Sequence, residues 1–230
     1  VMVSLMALLD TQGLWARLLI PAFVYFFHAL YPFKLVQNLR SKVSAAAGGC
    51  ILISRQALDK IGGIAGYSNS LIDDIALARK IKDAGMPLSL SLTKSVVSVR
   101  PYYRLCDVWN MVARNAFAQL KYSWLALVGT VLGLVTLFVV PVIGVCTFVA
   151  GTALQVTILS SSLSLLIMAL TYVPTLRFFG LSVLRAFTLP VAGGFYLAMT
   201  VSSVINYLSG RHEWRGTRMK IGQENGKFCE

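Results

Sequence analysis

Residues 48–85 read GGCILISRQALDKIGGIAGYSNSLIDDIALARKIKDAG. The last third decides the fold. Leu77, Ala78, Ile81 and Ala84 fall on one face of a helix, with Arg79, Lys80 and Asp83 off it. Gly85 is a helix stop. Asp73 and Asp74, the only adjacent carboxylates in the chain, open this helix after a loop from Gly62 to Leu71 rich in Gly, Ser and Asn. Acids in a first turn complement the helix dipole, so capping is one reading of the pair. The other is that one carboxylate faces a cleft as a general base. Upstream, Ala45 to Ser54 reads as a strand entered through Gly48 and Gly49, and Gln56 to Ile61 as a short helix. Paired glycines permit a close backbone approach to a ligand, or simply a tight bend. Downstream, Leu88, Leu90 and Leu92 alternate with Ser89 and Ser91 as in a strand, and the chain stays extended to Arg100. Strand, helix and strand in this order predict part of an α/β sheet.

The composition is that of a membrane protein. Of 230 residues, 57% are hydrophobic and 13% charged, and the mean hydropathy is +0.71. A formal net charge of +12 suits anionic headgroups or phosphate-bearing substrates. Its dispersal along an apolar chain argues against nucleic acid. Cys50, Cys106, Cys146 and Cys229 show no metal or disulfide spacing. His28 and His212 form no metal motif either.

Val1 to Leu9 reads as a buried strand, although Met and Leu also suit a helix. Leu14 to Tyr31 is helical by spacing and rich in aromatic rings, which favour the membrane boundary. An in-plane helix is expected, with a true span as the alternative. Lys34 to Lys42 is a basic connector. Tyr102 to Tyr122 is a second amphipathic helix, with Leu105, Val108, Trp109, Val112, Ala113, Ala116, Phe117 and Leu120 on its stripe. No charged residue lies between Tyr122 and Leu176. That leaves room for two spans of ~20 residues, expected near Leu125 to Val149 and Leu154 to Val173. Gly129 and Gly133 form a small-xxx-small pair that would allow close helix packing. A third apolar segment runs from about Leu184 to Leu208. Lys121 and the Arg177 to Arg185 loop both argue for the cytoplasmic side. Three full spans then place the basic tail outside, so either one segment is re-entrant or the tail breaks the charge rule. The organisation expected is a domain over 1–123, a membrane region over 124–209 and a basic tail over 210–230.

Several stretches together resemble membrane-bound family 2 glycosyltransferases. They are VSLMALL, LLIPAFVYFFHALYPF, AAAGGCILISRQALDKIGGI, LIDDIALARKIKDAG and VRPYYRLCDVWNMVARNAFAQLKYS, with HEWRGTRMK in the tail. The likeness is greatest to hopene-associated enzymes of bacterial hopanoid gene clusters, themselves similar to ceramide glucosyltransferases. The resemblance implies the C-terminal part of a GT-A domain, α/β in class, on the cytoplasmic face of a bacterial inner membrane, followed by a multi-pass helical region. It implies transfer of a sugar from a nucleotide-sugar donor to a lipid hydroxyl. The donor half, with the ligands for a divalent metal such as Mg or Mn, would precede Val1, so no metal ligand is expected within these residues. Asp73 and Asp74 match the family's ED motif, with Asp74 in the place of the base. The QxxRW motif maps onto Ala118 to Tyr122, where Lys121 keeps the charge and Tyr122 an aromatic ring. Ala118 departs from the pattern, and Gln119 stands next to it. Lys also lacks the bidentate geometry of Arg.

Such a transfer needs a base for the hydroxyl proton and positive charge for the leaving diphosphate. The candidate residues are Asp74 with Asp73, and Gly48, Gly49, Arg114, Gln119, Lys121 and Tyr122 around the substrates. Two other readings compete. A non-enzymatic membrane component such as a transporter would favour internal repeats or intramembrane charges, and neither is seen. A processive polysaccharide synthase needs a pore, for which three segments are few.

Overall fold

A computed structural model describes residues 1–64, 72–147 and 155–209, and the backbone alone of 148–149, 213–214 and 217–218. Most of the loop from Gly62 to Leu71 and most of the basic tail, Cys229 included, lie outside the described residues.

The first half builds on a three-stranded sheet in the order β2-β1-β3. Strand β1 (Met2–Leu8) buries Met2, Ser4 and Met6 on alternate positions, which settles the strand-or-helix ambiguity of the first residues. It pairs in parallel with β3 (Leu88–Val97), Met2 opposite Leu88, and antiparallel with β2 (Ile51–Ile53), Met2 opposite Ile53. The sheet is therefore mixed. The strand expected over Ala45 to Ser54 is confined to Ile51–Ile53, because Ala47 is held by a side chain instead of a ladder. Its N–H donates to Ser4 Oγ at 2.8 Å and its carbonyl accepts from the same hydroxyl at 3.1 Å.

Helices α1 (Leu14–Leu30), α2 (Phe33–Gln37), α3 (Arg55–Lys60) and α4 (Asp73–Asp83) connect and cover these strands. Ser54 caps α3, accepting from the Ala57 N–H. Gly85 follows α4 at φ 72°, the left-handed conformation that glycine adopts without a steric penalty. Leu77, Ala78 and Ile81 of α4 pack with Met2, Val36, Leu88 and Leu90 in one core. Lys82 is also buried there. Its ammonium donates to the Leu35 and Val36 carbonyls, both at 2.9 Å, and to the Val43 carbonyl. A buried charge needs such partners, and this one clamps the 33–47 connector onto α4.

A second core joins α1 and α5 (Leu105–Gln119) to the apolar second half. Three helical segments there are long and apolar enough to cross a membrane: Trp124–Thr147, Gln155–Phe178 and Val183–Leu208. The first comprises α6 (Trp124–Leu134), a π-helical turn (Val135–Val139) and most of α7 (Val140–Val149). The wide turn directly precedes Pro141, whose missing N–H interrupts the helix ladder. The second is α8 (Gln155–Phe178). The third joins a 3₁₀ stretch (Val183–Thr188) to α9 (Leu189–Leu208).

The helix contacts correct one expectation. A Cβ on Gly129 or Gly133 would meet nothing within 4 Å, so that pair does not mediate packing among the described residues. Close approach occurs at Gly144, where a Cβ would lie 2.1 Å from Ser161 Oγ, and at Gly193, where it would lie 2.4 Å from the Phe138 ring.

Helix α9 runs antiparallel to α6: Gly193 meets Phe138, while Val204 packs with Leu127 and Tyr207 stacks on Tyr122 at 5.1 Å. Its flank is tied to α1 and α5. Tyr196 donates to the Leu19 carbonyl (3.0 Å), Ser202 accepts from the Trp109 indole (3.2 Å) and Ser203 from the Phe117 N–H (3.0 Å). The end of α8 reaches the sheet, with Lys94 of β3 5.5 Å from the centre of the Phe178 ring. One end of α9 thus follows the sheet-contacting end of α8, and the other returns to the start of α6.

Candidate active site

Asp74 is positioned from two directions. Helix α4 begins at Asp73, and Asp74 Oδ1 accepts from the Ile75 N–H at 2.8 Å. From the other side, the Gly48 N–H donates to Asp74 Oδ2, also at 2.8 Å. The connector clamped by Lys82 and the Ser4–Ala47 pair deliver Gly48 to that point. A Cβ on Gly48 would lie 3.2 Å from Asp74 Oδ2, so the close approach favours glycine. The paired glycines therefore serve differently: Gly48 reaches the carboxylate, whereas Gly49 packs against Ala7. Asp73 is exposed and its Oδ1 accepts from the Asp74 N–H at 2.9 Å, a local bond at the helix start.

Burial raises the Asp74 pKa above the ordinary carboxylate value. The Ile75 and Gly48 donors oppose that shift, and the neighbouring charge of Asp73 adds to it. Tyr31, just past α1, belongs to the same neighbourhood. Its phenol is raised first by burial and then by the Asp74 charge, and it accepts from Gln119 Nε2 at 2.5 Å. The ends of α1 and α5, 88 residues apart in sequence, so meet beside Asp74. Tyr31 was not among the sequence candidates. The available signal was that it carries a hydroxyl and closes the aromatic run, its ring 5.3 Å from Phe27.

Of the candidates, Gly48, Asp73, Asp74 and Gln119 form this network. Arg114 sits instead with Asn115, Arg100 and Tyr102, and its pKa is lowered by burial and by Arg100. Lys121 and Tyr122, the other residues of the motif alignment, lie in a turn of their own. Both adopt left-handed backbone angles, φ 53° and 56°, rare without glycine. The turn exposes Lys121 and packs the Tyr122 ring against Phe117 and Tyr207, not against Asp74. It is Gln119, the residue beside the departing Ala118, that faces the carboxylate's neighbourhood.

No group of three or more His, Cys, Asp or Glu gathers among the described residues. The described residues thus offer no set to hold the divalent metal whose ligands the resemblance places before Val1. What the arrangement can do is accept a proton at a half-buried carboxylate flanked by a tyrosine and an amide.

No curated protein and no solved structure matches the chain. A family model described as Glycosyl transferase family 21 matches residues 1–227. The likeness seen in the quoted stretches is thus to a glycosyltransferase, of family 21 rather than family 2. With nearly every residue inside that match, the chain belongs to glycosyl transferase family 21.

Proposed function

We propose that these residues form the acceptor side of a membrane glycosyltransferase that moves a sugar from a nucleotide-sugar to a lipid hydroxyl, with Asp74 as the base. We read the mixed sheet as part of a GT-A domain on the cytoplasmic face, and the acceptor as an amphipathic lipid of hopanoid or ceramide type. The observation that carries this reading is the half-buried Asp74 carboxylate, held by Gly48 where α1 and α5 meet. Those two helices also pack on the apolar helices, so a lipid reaching Asp74 stays close to the bilayer.

In the reaction, the acceptor oxygen bonds to the anomeric carbon. The bond from that carbon to the diphosphate oxygen breaks, and the nucleoside diphosphate leaves with that electron pair. The hydroxyl proton passes to Asp74. The Tyr31 oxygen accepts from Gln119, so its own proton is available to orient the acceptor hydroxyl.

The test is transfer of radiolabelled sugar, from a panel of nucleotide-sugars, by the intact enzyme in bilayers containing extracted lipids. Label moving into the organic phase is the expected result. Label confined to water-soluble or polymeric product would overturn a lipid acceptor.

A further inference from the structure

A cleft of about 390 Å³ shares no lining residue with the Asp74 network: none of Gly48, Asp73, Asp74, Tyr31 and Gln119 lines it. Its floor is where β1 and β3 end, the Ser98 N–H donating to the Leu8 carbonyl at 2.9 Å. Asp10, Gln12, Arg100 and Tyr103 rim it, and Phe179 closes one side.

Two features define what it would take. The first is charge. Arg100 lies 5.6 Å from the centre of the Tyr102 ring and close enough to Arg114 for the two guanidiniums to repel. Arg17 does not line the cleft, but its Nε donates at 3.3 Å to the carbonyl of Thr11, which does. The one carboxylate of the cleft, Asp10, is engaged by the Gln12 N–H at 2.9 Å. Among the described residues no carboxylate lies within ion-pair distance of Arg100, and its exposed guanidinium is open to an anion entering the cleft.

The second feature is position. Phe179 directly follows α8, whose apolar length suits a span. The end of such a span marks the level where hydrocarbon gives way to headgroups. The Lys94–Phe178 contact holds β3 at that level. An anion here would have an apolar chain running along α8, which describes a phospholipid better than a free nucleotide.

We propose that this cleft is a phospholipid headgroup site in which Arg100 receives the phosphate. The site is separate from the proposed sugar-transfer centre, and its test does not read sugar transfer.

The experiment is native mass spectrometry of the intact enzyme in detergent, titrated with phosphatidylglycerol. Arg100→Gln is expected to weaken lipid retention roughly fivefold, the worth of one surface arginine toward an anionic lipid. Arg100→Lys should restore most of it, and Lys60→Gln, on exposed α3, should match the parent. Equal retention by parent and Arg100→Gln would overturn the proposal. So would loss of added uridine diphosphate binding in Arg100→Gln with lipid retention intact, since the phosphate site would then belong to a nucleotide. A second measurement leaves Arg100 in place. Val99 is 99% exposed, so Val99→Cys carrying a fluorophore should fold normally. Phosphatidylcholine bearing a headgroup nitroxide should quench it, and no quenching would also overturn the site.

Discussion

At Asp74, burial and the Asp73 charge raise the pKa, while the Ile75 and Gly48 N–H groups pull it down, and burial dominates. A base works only when deprotonated, so activity should fall as pH drops through this raised pKa. The acid limb of kcat/KM, which reports the free enzyme, should therefore lie above the ordinary carboxylate range. Removing the Asp73 charge with Asp73→Asn removes one upward push, so the limb should move to lower pH while the plateau stays near that of the parent. A limb that does not move, or moves up, would contradict the electrostatic coupling of the pair. The stability sign runs the other way. A raised carboxylate pKa favours the fold most at acid pH, below the unfolded value, and that contribution is lost as pH rises through the folded one. Loss of activity in acid without loss of fold is thus the expected signature.

Among the elements, α4 ties the site together because it carries Asp74 at one end and Lys82 near the other. Lys82→Met keeps an apolar stem of similar length but removes the ammonium from three carbonyls. The expected cost is roughly 1–3 kcal/mol, typical of buried polar groups left without partners. Hydrogen exchange should rise across 35–47, the connector that brings Gly48 to Asp74, and stay unchanged in α3. Unchanged exchange in the connector would mean that Lys82 is not its clamp. The helices themselves were legible in the sequence, since Leu77, Ala78 and Ile81, or Val108, Val112 and Phe117, recur at helical spacing. So was the candidate pair Asp73–Asp74, an acid doublet in an acid-poor chain. The Tyr31–Gln119 contact was not, because it joins residues 88 apart that share no periodic pattern. Nor was the left-handed turn at Lys121 and Tyr122, which no glycine announced and which redirects both side chains. The Gly129–Gly133 pair misled for a related reason: spacing shows that a close approach is permitted, and only the fold shows which helix takes it.

For the whole molecule, the path of α9 bears on the conflict between three spans and a basic tail. The helix runs antiparallel to α6, with Gly193 at Phe138 and Val204 at Leu127, so it shares the depth of the first span. Ser182 and Ser209, which flank the third span, should therefore lie on opposite sides of the membrane. In intact cells, Ser182→Cys and Ser209→Cys variants should respond differently to an impermeant thiol reagent; the same response from both would make α9 re-entrant. The family match places the chain among glycosyltransferases, and the central claim is that Asp74 supplies the base. The most direct measurement is sugar transfer to extracted lipid by parent and Asp74→Asn enzymes, folded, membrane-inserted and at matched amounts. Asn keeps the size and much of the capping ability of Asp, so folding should change by about 1 kcal/mol or less. The variant loses the proton acceptor, and the account predicts a rate lower by roughly 10²–10⁴-fold. Turnover equal to that of the parent would contradict it.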